Sequence, residues 1–361
     1  MKILFIAGRE LTYSRNALNI KLLKNIGCEV ITYSDKVKKQ SILLRSILFS
    51  VKTVISKIFT RYDVLFVGFF GQIMMILLAP WKKQPIIFDA FVSAYDTLCF
   101  DRKQFAPTSL LGMITKTLDT LACKIADIVL VDTRTNACYF SDILGVSPEK
   151  INVLYVGCDE DIFFPIDIEP EPGTLLFYGT FLPLHGVDII VHAARILNEK
   201  NRSVKIKIIG DGLNYSAVRH LSENLQLSNI VFKPPVPLIS LPVEIAKSEI
   251  CLCGHFGDSE KAGRVIATKT FQCAAMGKPL IIGNNEANRE IFTHSLDSFM
   301  VEMGNPEALA EGIWTVYTNQ ALRETIAKNV RNTYLKKVSN KCLQEQIGNI
   351  TDQINIFTHN N

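Results

Sequence analysis

No Cys-x-x-Cys pair occurs in the 361 residues, although nine are cysteine. The odd count and the missing framework spacing exclude a disulfide-stapled secreted module. They point to reduced thiols in a cytosolic protein. The cysteines and the six histidines show no zinc-type ligand spacing. There is no apolar run of the roughly 20 residues that a spanning helix needs. The longest uncharged stretch, residues 64–80, carries two glycines and ends in proline, which predicts a buried strand followed by a short helix. The opening MKILFIAG is too short for a signal peptide and reads as a first strand. Repeats, low-complexity tracts and two-residue hairpin turns are also missing, which argues against solenoids and antiparallel meanders. Charged residues make up only 20%, below the usual share of about 25%. With a mean hydropathy of +0.19, this keeps a membrane-surface role in view.

What is present divides into two halves. Residues 1–150 hold 20 Lys+Arg and 12 Asp+Glu, a net charge of +8, and the remainder carries −4. Short β-branched runs (KILFIA, EVITYS, DVLFVGF, PIIFDAF, DIVLVD, KINVLYVG) alternate with longer amphipathic segments. This is the pattern of parallel βαβ units. Residues 165–173, PIDIEPEPG, hold three prolines, a glycine and three acids and read as a linker. The alternation then restarts with TLLFYG, VKIKIIG, NIVFKP, EICLCG and KPLIIG, and residues 306–361 are helical in pattern. The expected division is an N-terminal Rossmann-like domain over 1–165 and a second over 166–339. A C-terminal helix near 340–361 is expected to return to the first domain.

The stretch 251–283 carries the strongest chemical signal. A strand ends near Gly254, a glycine-bearing loop follows, and a helix runs from about Thr268 to Gly277. A loop leading from a parallel strand into a helix N-terminus suits an anionic group. Lys261, Arg264 and Lys269 lie on that approach, in keeping with a diphosphate. In isolation the same cations also fit a solvated basic loop.

KTFQCAAMGKPLI resembles the donor-site helix of glycosyltransferase family 4. ADIVLVDTRTNACYFSDILGVSPEKINVLYVGCDEDIFFP resembles that family's interdomain passage. FYGTFLPLHGVDIIVHAARIL and IKIIGDG resemble the first two strand ends of its second domain. The resemblance covers residues 126 to 312. It implies an α/β GT-B fold of two facing Rossmann-like domains around a cleft, with the donor on the C-terminal domain and the acceptor on the N-terminal one. It also implies a retaining reaction. The family's E-x7-E pair falls on Arg264 and Gln272. Gln272 can still accept a ribose hydrogen bond through its amide oxygen, and Arg264 offers a fork suited to phosphate.

By the same resemblance, Gly179, Thr180, His185, Gly257 and Glu290 join Lys261, Arg264, Lys269 and Gln272 as donor-site residues. His185-Gly186 stands where the family often has Lys-Gly. Asp89, at a predicted strand end, is the candidate to position an acceptor hydroxyl or take its proton. Ser93, Tyr95, Asp96, Asp101 and Arg102 follow as acceptor contacts, with loop capping as the alternative. Asp159-Glu160-Asp161 is formally a DxD, but its place between VLYVG and FFP reads as a turn of solvated acids. No essential metal and no cofactor are expected.

Residues 36–61 contain seven Lys/Arg and no acid, with apolar residues at helical spacing. Such a helix suits an anionic membrane, through Lys38, Lys39, Arg45 and Lys52, while its apolar side packs on the sheet. An ordinary domain helix is the other reading. The expectation is therefore a cytoplasmic, peripheral-membrane glycosyltransferase. It would use a nucleoside diphosphate sugar and a lipid-linked or surface-glycan acceptor, with no nucleic-acid partner. Its rivals are a GT-B epimerase or phosphorylase, and a catalytically lapsed relative that binds a nucleotide or scaffolds an assembly.

Overall fold

The computed structural model describes residues 1–33, 42–56 and 61–359. Contacts divide the chain into two compact units, Met1–Val156 with Asn340–Asn361, and Gly157–Ser339.

The first unit is built on a six-stranded sheet: β1 (Lys2–Ala7), β2 (Glu29–Thr32), β3 (Val64–Gly68), β4 (Ile86–Asp89), β5 (Ile128–Val131) and β6 (Ile151–Val153). Every pairing is parallel, in the order β2-β1-β3-β4-β5-β6. Its helices are α1 (Ser14–Asn25), α2 (Ile42–Ser56), α3 (Gln72–Leu78), α4 (Leu110–Ile125) and α5 (Arg134–Asp142). β1, β3, β4 and β5 are buried almost throughout, which is why they read as near-continuous apolar runs. The uncharged stretch 64–80 is indeed a buried strand and a short helix. No helix among the described residues is long and apolar enough to cross a membrane.

The second unit repeats the plan: β7 (Thr174–Thr180), β8 (Lys205–Asp211), β9 (Ile230–Lys233), β10 (Ile250–Leu252), β11 (Leu280–Gly283) and β12 (Phe299–Val301). The order is β12-β11-β10-β7-β8-β9, again all parallel. The helices are α6 (Val187–Glu199), α7 (Tyr215–Asn224), α8 (Leu241–Ala246), α9 (Glu260–Arg264), α10 (Thr268–Ala275), α11 (Glu286–Ile291), α12 (Pro306–Thr318) and α13 (Gln320–Lys337). α14 (Asn340–His359) belongs to the first unit and packs on α1.

The division at 156/157 lies ahead of the proline-rich stretch because the residues after β6 are held by the second unit. Cys158 Sγ lies 3.2 Å from the Tyr334 hydroxyl, which in turn donates to Glu160. In the second sheet the chain runs outward from β7 to β9, then crosses back to place β10 on the other side of β7. The carboxyl ends of β7 and β10 therefore diverge, and such a switch point is where open α/β sheets bind ligands.

Candidate functional site

At that switch point β7 ends in Gly179-Thr180, and the loop Pro183–Gly186 turns back over the chain after β10. Gly186 has φ +60°, and a Cβ there would stand 2.3 Å from the Gly257 nitrogen. Gly257 is equally confined, since its Cβ would meet the Pro183 carbonyl oxygen at 2.4 Å. The two glycines let the β7 and β10 loops touch backbone to backbone. Seven of the sequence-nominated donor residues (Gly179, Thr180, His185, Gly257, Lys261, Arg264 and Lys269) lie on these two loops and the start of α10.

Lys269 is the centre of the arrangement. Its side chain leaves the first turn of α10 and is 5% exposed. The ammonium lies 4.5 Å from the Phe177 ring centroid and has no hydrogen-bond partner. Gly179, at φ +146°, leaves room for it: a Cβ there would lie 3.5 Å from Nζ and 3.7 Å from His185 Cε1. Burial pushes the ammonium down to about 8. A buried cation without a partner costs free energy that an incoming anion recovers.

The histidines are held neutral. Burial, then Lys269 and then His255 keep His185 well below the usual histidine range. His255, stacked on it at 5.5 Å, is pushed to about 3 by burial and by Lys269. His185 Nδ1 bonds to the Thr180 carbonyl oxygen, so Nδ1 carries the proton and Nε2 is left as an acceptor. A neutral His185 therefore suits a hydroxyl. It cannot donate to phosphate until it is protonated.

The loop between β10 and α10, expected to be irregular, contains the one-turn helix α9, whose N-cap Ser259 accepts from Ala262 N. Lys261 is buried on it, and Arg264 at its end lies 3.7 Å from Glu260. The Gln272 amide oxygen accepts from the Tyr178 hydroxyl at 2.8 Å. That bond takes up one of the two lone pairs expected to serve a ribose and leaves the Gln272 NH2 as the freer group. Glu290 is half-buried on α11.

In the first unit the geometry speaks against Asp89 as a base. Its carboxylate is buried and receives Arg15 Nε and Nη2, each at 3.0 Å, and Asn19 Nδ2 at 3.0 Å. Arg15, 1% exposed, also donates to the carbonyl oxygens of Leu154 and Tyr155. This ion pair ties α1 to the ends of β4 and β6. Asp89 is committed to it and buried.

The loop after β4 is organised by Asp119 of α4, which the sequence reading passed over. Its carboxylate accepts from Gln72 Nε2, Ser93 Oγ, Ala94 N and Tyr95 N. Burial pushes it above the usual range. Ser93, Tyr95, Asp96 and Asp101 are consequently buried, and the π-helical turn Asp96–Asp101 follows. Of the expected acceptor contacts only Arg102 is exposed. The signal available in sequence was an acid on the apolar side of a helical pattern, TLDTLACKIAD.

Asp159 and Asp161 form a local turn, with Asp161 N donating to Asp159 Oδ1 at 3.2 Å. Among the described residues the group suited to a metal ion is instead Cys251, Cys253 and Cys273.

The expected membrane helix is differently oriented. Lys38 and Lys39 lie outside the described residues, as does the Arg45 side chain, and Lys52 is exposed. The inward face of α2 is Ser46, Phe49, Ser50 and Thr53. Leu43, Leu44, Ile47, Leu48, Val51 and Ile55 point to solvent, so the apolar side does not pack on the sheet. α3 lies between α2 and α4. α4 exposes Leu110 (77%), Leu111, Met113, Ile114 and Leu121. Both helices thus expose apolar side chains, with α3 between them.

Residues 159–333 match the family model Glycosyl transferases group 1. An uncharacterised glycosyltransferase of Methanocaldococcus jannaschii is 26% identical over 191 residues, 53% of this chain and 50% of its own length. A D-inositol 3-phosphate glycosyltransferase of Kribbella flavida is 22% identical over 242 residues, 62% of this chain and 54% of its own. The chain thus spans about half the length of the curated relatives it matches. Two solved structures are similar over nearly all of both chains. Sucrose-phosphate synthase of Thermosynechococcus elongatus has a TM-score of 0.79 at 14% identity, covering 98% of each. Anabaena HepE, in complex with UDP and glucose, has a TM-score of 0.75 at 16% identity, covering 98% of this chain and 100% of its own. Residues 159–333 are thus similar to the glycosyl transferases group 1 model, in a chain that has the GT-B fold.

Proposed function

We propose that this chain is a retaining glycosyltransferase of family 4 that takes its sugar from a nucleoside diphosphate donor. The observation that carries this is the Lys269 ammonium, buried without a hydrogen-bond partner at the β7–β10 switch point. Lys269 holds the diphosphate and stabilises the charge that grows on it as the glycosidic C–O bond breaks. Gly179 gives the ammonium its room, Gly186 and Gly257 let the two loops meet, and His185 Nε2 accepts from a hydroxyl of the donor. With Asp89 taken up by Arg15, the leaving diphosphate is the base that receives the acceptor proton. No metal is needed for these steps. UDP, GDP or ADP at 100 times its dissociation constant should stabilise the protein by about 2.7 kcal/mol. The matching nucleosides should do much less, and donor turnover should persist in excess EDTA. Equal shifts for nucleoside and diphosphate would remove the basis of this reading.

A second reading, a lapsed relative that binds without turnover, is favoured by Arg264 and Gln272 at the two carboxylate positions and by the committed Asp89. Binding of diphosphate without any donor hydrolysis or transfer would decide for it.

The acceptor is proposed to be lipid-linked or a surface glycan, at the cytoplasmic face of the membrane. What supports this is the apolar surface of α2 and α4 with Lys52 beside it, in the more basic half of the chain. Vesicles containing anionic lipid should bind the protein and neutral ones should bind it less. Apolar insertion should leave part of the binding intact at high salt, where charge is screened within about 3 Å. Ile47→Ser, Val51→Ser, Leu110→Ser and Ile114→Ser combined should remove that salt-resistant part and leave diphosphate affinity unchanged. Unaltered sedimentation of this variant would move the acceptor reading to a soluble molecule.

A further inference from the structure

Cys251 and Cys253 are alternate residues at the end of β10, so their side chains leave the same face of the sheet. α10 packs Cys273 over that face. The three Sγ atoms lie within 4.8 Å of one another, and all three residues are at most 1% exposed. Among the described residues no other group of thiols, imidazoles or carboxylates converges in this way. The neighbours are polar but few. The Ser248 hydroxyl lies 3.4 Å from Cys251 Sγ, and the Tyr178 hydroxyl 3.6 Å from Cys273 Sγ. Two lysines act on the cluster electrostatically, Lys269 on Cys253 and Cys273, and Lys278 on Cys251 and Cys273.

From this geometry we infer that Cys251, Cys253 and Cys273 form a trigonal three-sulfur site for a soft monovalent ion, copper(I). Three sulfurs without a nitrogen or carboxylate ligand select a soft ion, whereas structural zinc takes four ligands. On binding, three S–H bonds break, three Cu–S bonds form and three protons leave to solvent. Copper remains in the +1 state. The resulting centre carries two negative charges, and the ammonium groups of Lys269 and Lys278 oppose them. The ion fastens β10 to α10, and the assignment stands whether or not the donor reading does.

The test is metal analysis of the full chain expressed in copper-supplemented medium, so that loading occurs as the chain folds, followed by a chelator wash. The parent should retain about one copper per chain and show the luminescence of a solvent-shielded copper(I)–thiolate centre. Its Tm should exceed that of the copper-free protein by roughly 5 °C. Cys273→Ser should lose the copper and the luminescence, and Cys138→Ser, at an exposed thiol, should keep both. Cys251→Ala serves as a second variant where Cys273→Ser does not fold. Copper absent from the parent, or retained equally by folded Cys273→Ser and Cys251→Ala, overturns the site and leaves the thiols as core packing.

Discussion

Lys269→Met should weaken nucleoside diphosphate binding by roughly 10- to 100-fold, as expected for a hydrogen bond to a charged group, and should raise the melting temperature. The two effects share one cause. The ammonium is buried without a hydrogen-bond partner, and its displacement from 10.5 to about 8 corresponds to a desolvation cost on the order of 3 kcal/mol. Methionine has a similar reach and no charge, so it removes that cost in the free protein. It also removes the group that repays the cost when a diphosphate arrives. Nucleoside affinity should hardly change. Arg264→Ala should cost only a few-fold, because Arg264 is one-sixth exposed and already has Glu260 beside it. Titration calorimetry with diphosphate and nucleoside, paired with thermal melts, measures all of these. A Lys269→Met protein that is less stable and still binds diphosphate would show the lysine to be a packing element.

Asp89→Asn carries the second large effect, and it falls on stability. Asn keeps the shape but leaves the Arg15 guanidinium buried against a neutral amide. Breaking one side of a buried pair costs about 3–5 kcal/mol. For a unit of this size that lowers Tm by roughly 6–20 °C. Arg15→Met should cost a similar amount, since Asp89 then keeps only Asn19. The double variant Arg15→Met/Asp89→Leu should recover part of the loss, because a matched apolar pair leaves no uncompensated charge. Were Asp89 the general base, Asp89→Asn would instead fold normally and lose turnover. Urea unfolding beside a donor-transfer assay separates the two outcomes, and an unchanged unfolding midpoint would refute the structural assignment.

Local patterns carried the strands and long helices. KILFIA, DVLFVGF and DIVLVD are apolar because both faces of their sheet are covered, and each is a strand near the expected position. The stop at Gly277 was equally legible: the residue has φ +68°, a conformation that favours glycine after a helix. The basic approach to α10 was visible too, since Lys261, Arg264 and Lys269 are close in sequence. Less legible was β12, a three-residue strand too short to show a period.

Long-range partners were not visible in one dimension. Asp89 looked available because Arg15 lies 74 residues away, and whether a carboxylate is free or paired depends on what α1 brings to the end of β4. The acids and hydroxyls after β4 looked like a contact loop because Asp119, which gathers them inward, sits on a helix 24 to 26 residues on. The amphipathic period of α2 was correct, but a period does not say which face meets the core. Only packing against α3 showed that Phe49 with Ser46, Ser50 and Thr53 goes inside and Leu43, Ile47 and Val51 stay in solvent. The thiols of β10 found their third partner on α10 by the same means. By itself the sequence determined the α/β class, the two-unit plan and the cations around the loop between β10 and α10, since these rest on local period, turn chemistry and residues close along the chain. The tertiary structure alone decided which charges are paired, which are buried without a partner and which apolar faces remain uncovered. Burial and electrostatic pairing depend on distances in space, and those arise only when the elements pack.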